Sequence, residues 1–238
     1  MRLNTSISIL AGAGITVAAS AEITGAYVVS YSVTAADFDG TSVTVNVQDL
    51  YLSSDDGADV ALNIFNYNAS STAADSYFQS FTGTGWQPTN LGGPFDNSAL
   101  RLADSFVTVG GFQQNTIAPE QAPGAGSGTG LDPNFGGNGA VAPGADAGWY
   151  NGSPPSLNGQ VGVVPNRFGQ LNNQGVFVGR FATVGESDIS LSTLEVTWNQ
   201  GLGTPGQQGN FIVNIPGPGA IALLGVAGFA SRGRRRSA

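Results

Sequence analysis

The sequence predicts an all-β protein: an antiparallel β-sandwich of jelly-roll type, with a helix at each end of the chain. Three observations carry this. β-branched and aromatic residues recur in short alternating runs, as they do in strands with one dry face. No stretch of the middle keeps a 3.6-residue apolar period over ten residues, as a helix would. Only 10% of residues are charged, and the polarity comes from amides, hydroxyls and 36 glycines, whereas helical proteins lean on Glu, Lys and Arg. The 238 residues, 41% of them hydrophobic, suffice for one β domain of ordinary size or two small ones.

The N-terminus reads Met1-Arg2-Leu3, then a mildly apolar run from Ile7 to Ala19, then Ala19-Ser20-Ala21. One positive charge, an apolar stretch of about a dozen residues and a small-x-small site are the parts of a secretory signal peptide. Ala19 and Ala21 fit the narrow peptidase pocket, so residues 1–21 are the expected signal helix and Glu22 the first mature residue. Signal peptidase is then one expected partner.

The β domain is expected over residues 22–214. Ala26–Thr34 and Ser42–Gln48 are its first strands, and Val43, Val45 and Val47 alternate with Thr44, Asn46 and Gln48. The apolar parity then shifts to Leu50 and Leu52, which predicts a bulge or bend near Asp49. Asp59–Tyr67, Tyr77–Phe81 and Ser105–Val109 follow. Residues 119–159 read as a long Gly/Pro-rich loop pinned by Leu131, Phe135, Trp149 and Tyr150, and such a length suggests a surface excursion or a binding loop. Val176–Val184 and Ile189–Trp198 read as a hairpin across Gly185-Glu186-Ser187-Asp188. Ile189 and Leu191 have one parity and Leu194, Val196 and Trp198 the other, predicting a bend.

The C-terminal region, 215–238, runs from Ile215 through Pro216-Gly217-Pro218 into an apolar stretch and ends on Arg232, Arg234, Arg235 and Arg236. An uncharged run followed by arginines is a membrane-stop pattern. From Gly219 to Ser231 it holds 13 residues, short of the ~20 of an ordinary spanning helix, which suits a processing signal better than a permanent anchor. In these residues the tail resembles the PEP-CTERM sorting signal of exopolysaccharide-producing Gram-negative bacteria: a Pro-x-Pro motif, a short transmembrane helix and an Arg-rich end. Gly217 stands where that family usually has Glu. The resemblance implies recognition and cutting near the motif by an exosortase, and hence export to the cell envelope, cell surface or extracellular matrix. Asp104–Gly111, Gly148-Trp149-Tyr150 and Val176–Trp198 are similar to uncharacterised precursors carrying the same tail, a likeness that brings no activity with it.

Composition narrows the chemistry of the middle. Cys, His and Lys are absent, which removes disulfides, thiolate nucleophiles, the commonest general base, Schiff bases and P-loops. All sixteen carboxylates lie between Glu22 and Glu195, where they face three arginines, Arg101, Arg167 and Arg180. Such a surface repels nucleic acid and anionic lipid. Asp37-Phe38-Asp39-Gly40 and Asp55-Asp56-Gly57-Ala58-Asp59 are carboxylate-rich loops that suit either turn chemistry or calcium, an oxygen-seeking ion. Asp55, Asp56 and Asp59 are the candidate calcium ligands, and no other cofactor is expected.

Two further ligand chemistries remain open. Paired carboxylates serve glycosidases without His, Cys or Lys, and Glu120, Glu186 and Glu195 are available. Loop aromatics stack on sugar rings, with Trp149 and Tyr150 the candidates and Trp86 a third, while the parity of Trp198 makes it core. The expected function is non-enzymatic: an exported structural or interaction component of the extracellular or exopolysaccharide matrix. A carbohydrate-binding module is the first alternative and a carboxylate glycoside hydrolase the second.

Overall fold

The first hairpin sets the frame. Strands β1 (Ile23–Ala36) and β2 (Ser42–Ser54) pair antiparallel in one unbroken register from Gly25↔Ser53 to Ala36↔Ser42. The turn between them is closed by Asp37 N–H donating to the Thr41 carbonyl and by Gly40 in a left-handed conformation. The molecule is seen in a computed structural model that describes residues 22–83, 85–88, 94, 96–110, 128–153, 158–165 and 172–214. The expected signal helix, residues 1–21, and the expected sorting tail, residues 215–238, lie outside the described residues.

The remaining elements are β3 (Val60–Asn68), α1 (Ser98–Leu102), β4 (Phe106–Val107), β5 (Thr129–Leu131), a 3-10 turn at Pro133–Phe135, β6 (Ala147–Asn151), β7 (Gly162–Pro165), β8 (Asn172–Thr183), β9 (Thr193–Asn199) and β10 (Gln207–Asn214). All strands join one sheet in the order β4-β8-β2-β1-β10-β9-β3-β6-β5, with β7 added to β8. Every pairing is antiparallel except β1–β10, which is parallel through Ala26↔Val213 and Tyr27↔Asn214. The two ends of this path meet. Just past β4, the Val109 N–H donates to Thr129 Oγ1 of β5 (3.3 Å), and Trp149 Nε1 donates to the Thr108 carbonyl (3.0 Å). The all-β class therefore holds, in a mixed and nearly closed sheet where the sequence predicted an antiparallel sandwich. Among the described residues no helix is long and apolar enough to cross a membrane.

The sheet folds back on itself around one core. Val28, Leu50, Leu52, Val176 and Val178 from β1, β2 and β8 meet Ile64, Tyr67, Trp149, Leu194, Val196 and Trp198 from β3, β6 and β9. Six aromatics fill one end: Trp86, Phe135, Trp149, Tyr67, Tyr77 and Phe181, with ring centroids 5.4–6.2 Å apart along the chain of contacts. Edge-to-face packing of this kind adds to the apolar area it removes from water.

The half formed by β1, β2 and β8 is buried on both faces over residues 26–29, 48–52 and 176–183, while Ser30, Ser32, Thr34, Thr44 and Asn46 at the far end of the first hairpin face solvent. Its outer face carries a second cluster, Tyr27, Val29, Tyr31, Val33, Val45, Val47, Tyr51 and Phe177, covered by Ala99, Ala103 and Phe106. This gives the parity switch a different cause from the bulge or bend expected near Asp49, although a register shift does lie beside it. The β1–β2 register runs straight through it, and the parity changes because odd residues of β2 serve the outer cluster while Leu50 and Leu52 serve the inner one. The irregularity lies opposite, in β8, where Leu50 pairs with Gly179 and Tyr51 with Phe177. The predicted hairpin is corrected. β8 pairs with β2, β4 and β7, whereas β9 pairs with β3 and β10, so the segment between them crosses from one half to the other. The predicted bend is there, at Leu191 with φ 66°.

Asp49 sits in the outer cluster. Its carboxylate takes both Nε (2.8 Å) and Nη2 (3.1 Å) of Arg180 and the hydroxyl of Tyr31 (2.8 Å). Arg180 Nη1 donates to the Arg101 carbonyl at 3.0 Å, and the two charged residues are 0% and 1% exposed. Burial alone would lower the Arg180 pKa, but the facing carboxylate more than reverses this, and the group is held above its ordinary value. Removing one partner of such a pair strands a buried charge and costs about 3–5 kcal/mol, while replacing both by apolar groups is close to neutral. Arg180→Met is therefore expected to lose stability of that order in urea denaturation. The double variant Asp49→Leu/Arg180→Met should recover most of it, and a double variant no better than the single would contradict the assignment.

Candidate functional site

The two acidic turns suit either turn chemistry or calcium by sequence. Asp55, Asp56 and Asp59 lie in the turn from β2 to β3, and each is engaged locally. Asp55 Oδ1 accepts the Glu22 N–H (2.9 Å), Asp56 Oδ1 the Ala58 N–H (2.8 Å) and Asp59 Oδ2 the Ser54 hydroxyl (2.7 Å). Asp59 is 0% exposed, its other oxygen has no partner, and burial raises its pKa. In the first turn Asp37 accepts from Ser80 Oγ and from the Phe38 and Phe81 N–H groups, and Asp39 from the Thr41 N–H. These are the hydrogen bonds by which Asp shapes a turn. Among the described residues no three metal-ligating side chains converge. The thermal midpoint is expected to stay put in EDTA. A fall of several degrees, restored by calcium, would show an ion at Asp59.

A buried carboxylate that sequence reasoning missed is Asp104, which follows α1. It is 2% exposed and accepts the Ser80 N–H at 2.6 Å. Burial pushes its pKa up to about 7, against the pull of that hydrogen bond and of Arg180, with Asp37 adding a further push. In the unfolded chain an Asp titrates near ~3.9. The folded state thus holds the proton more tightly, and this stabilisation is complete below about pH 4 and lost as pH rises to about 7. Wild type minus Asp104→Asn stability, from urea midpoints, should fall across that window. Curves that run parallel from pH 4 to 8 would contradict it.

The two candidate stacking residues separate. Both are on β6, which the sequence assigned to a loop: residues 128–153 of the expected 119–159 excursion hold β5, the 3-10 turn and β6. Trp149 points inward, 0% exposed, against Tyr67 and Phe135. It offers nothing to a ligand, which corrects its assignment. Trp86, 0% exposed with Nε1 donating to the Ala140 carbonyl (2.7 Å), is likewise core, and so is Trp198. Tyr150 points the other way and is 44% exposed.

Tyr150 belongs to a row that crosses five strands on the outer face of the second half-sheet. Gly130 of β5 pairs with Tyr150, Tyr150 with Asn63 of β3, Asn63 with Thr197 of β9, and Thr197 with Gln208 of β10. Directly paired residues show their side chains on the same face. A Cβ at position 130 would lie 2.4 Å from Tyr150 Cζ, so the missing side chain is what lets the phenol lie down across β5. Beside this row Glu195 accepts from Asn66 Nδ2 (3.0 Å) and Gln208 Nε2 (2.7 Å), with the amide of Asn210 against the same carboxylate. Thr197 Oγ1 donates to Asn63 Oδ1.

No family model matches the chain, and no curated protein or solved structure matches it.

Of the carboxylates considered for hydrolysis, Glu186 and Glu195 are among the described residues. Glu195 is spanned by amides on the sheet face, and Glu120 lies outside the described residues. Glu186 lines an open depression of about 550 Å³ with Asp75, Tyr77 and Thr183. Both of its carboxylates are exposed to water, whereas a glycosidase keeps its proton donor in a water-poor setting. Of the expected processing residues, Ala19, Ala21, Pro216, Gly217, Pro218, Arg232, Arg234, Arg235 and Arg236 all lie outside the described residues.

Proposed function

We propose that this chain is an exported, surface-sorted protein that works by contact and not by turnover, as a structural or interaction component of the extracellular matrix. The observation that carries the reading is the division of labour between the two half-sheets. One carries an apolar cluster on each of its faces. The other turns a continuous outer face of Asn63, Asn66, Thr197, Gln208 and Glu195 to solvent. A broad polar sheet face suits adhesion to an extended partner, and its carboxylate, Glu195, is held by the amides of Asn66 and Gln208.

The address rests on the two ends of the chain. The small-x-small site at Ala19 and Ala21 fits signal peptidase, and the run from Pro216 to the terminal arginines resembles an exosortase signal. The tail would hold the precursor in the membrane until it is cut, leaving the β domain at the surface or in the surrounding exopolysaccharide. The acidic, arginine-poor middle disfavours nucleic acid as a partner.

Mass spectrometry of the protein recovered from its cells, covering both termini, tests this. The expected mature chain begins at Glu22, ends near Pro216, and fractionates with the cell surface or matrix. A chain retaining both ends in a cytoplasmic fraction would contradict the reading.

A further inference from the structure

We propose that the outer face of β5, β6, β3, β9 and β10 is a binding platform for a neutral polysaccharide chain, with the Tyr150 ring as its stacking surface. This deepens the matrix role proposed above and rests on it for biological setting, while its own support is geometric. Tyr150 is 44% exposed although it sits within a paired strand. Its phenol occupies the space a Cβ at position 130 would fill. The end of the phenol therefore lies over β5 at Gly130, while the side chain stays 44% open to solvent. A flat, rigid aromatic side exposed in this way suits the apolar face of a pyranose ring and has few torsions to order on binding.

The groups beside it suit sugar hydroxyls. Asn63 and Thr197 continue the row next to Tyr150, Gln208 ends it, and Asn66 and Glu195 stand alongside. Amides and hydroxyls both donate and accept, as a hydroxyl ligand requires, and the carboxylate adds a strong acceptor. The row crosses four strand-to-strand steps of about 4.8 Å, roughly 19 Å in all. That length favours a polymer over a single sugar.

Charge selects among polymers. The arginines of the described residues are Arg101 and Arg180, one at α1 and the other paired to Asp49, both on the opposite half. The platform has a carboxylate and no cation among the described residues, so an anionic glycan or nucleic acid would meet repulsion without compensation.

Affinity electrophoresis of the full chain through gels holding hydroxyethylcellulose, β-1,3-glucan or galactomannan is the test, with alginate as the anionic comparator. Retardation by at least one neutral polymer is expected. It should weaken at least tenfold in Tyr150→Ala, return in Tyr150→Trp, and weaken in Gly130→Val, whose side chain lifts the ring. A thermal midpoint within about a degree of wild type for Tyr150→Ala would show that folding is not the cause, as expected of an exposed side chain. No retardation by any neutral polymer, retardation by alginate alone, or retardation undiminished in Tyr150→Ala would each overturn the proposal. The matrix reading is judged by termini and fractionation, so a failure here leaves it standing, and a failure there leaves the platform standing.

Discussion

Arg180 reaches in two directions from the middle of β8. Its planar fork holds Asp49 of β2 through two nitrogens, and its third nitrogen takes the carbonyl of Arg101 at the end of α1. The side chain also lies over the Phe106 ring, with Cζ 5.7 Å from its centroid. A lysine, a point charge on a flexible stem, could not make this set of bonds. Through it the short helix and the strand that follows are tied onto the outer face of β1, β2 and β8. With that cover in place Tyr27, Tyr51 and Phe177 are dry. Without it, the half-sheet would turn a band of aromatic and β-branched residues to water, the kind of patch that drives association.

That cover explains why the molecule has two unlike outsides. The half-sheet β5-β6-β3-β9-β10 has no buried apolar outer cluster, and its outer face mixes amides, hydroxyls and one carboxylate that bond among themselves with Tyr150, Ile212 and Phe65. The inner faces of both halves share one core, to which the outer cluster around Asp49 and Arg180 adds, so the bare face is free to vary in chemistry. A side chain such as Tyr150 can be exposed there at little cost. The domain thus separates what folds it from what it presents, as loops do on many other β scaffolds.

The sequence made the strand class legible because Val, Thr, Tyr and Phe alternate over β1, β2, β3 and β8. It hid the architecture for physical reasons. β10 was not among the strands read from the sequence, since Gln207 to Asn210 carry no apolar alternation, although Val213 is 0% exposed and makes the parallel seam with β1. β5 and β6 were taken for loop because a strand of three to five residues containing Gly130 or Gly148 shows no period. At Gly148 a Cβ would meet Asp132 Oδ2 at 2.5 Å, so the glycine marks close packing there and not freedom. The parity switch at Asp49 was seen and read as a bulge or bend, because two buried faces on one strand leave the same trace. Of the proposed site, Tyr150 was named as a candidate from its type and neighbours, but Trp149 beside it was indistinguishable until the pleat assigned their sides. Asn63, Thr197 and Gln208 gave no signal at all. They are ordinary outward residues whose meaning lies in register across strands distant in the chain.

The central claim is that the covered face builds the molecule and the bare face works. Hydroxyl-radical footprinting read by mass spectrometry addresses it directly, on the protein alone and then embedded in the matrix of its own cells. Alone, Tyr150 and the exposed Ile212 on the outer face of β10 should label strongly, and Tyr27, Tyr51, Phe106 and Phe177 should stay protected. In the matrix, protection should appear at Tyr150 while exposed Phe81, Val141 and Leu202 elsewhere on the surface keep their labelling. Labelling of the Tyr27–Phe177 cluster in the free protein would contradict the cover. Matrix protection falling on Phe81, Val141 or Leu202 with Tyr150 unchanged would contradict the assignment of the working face.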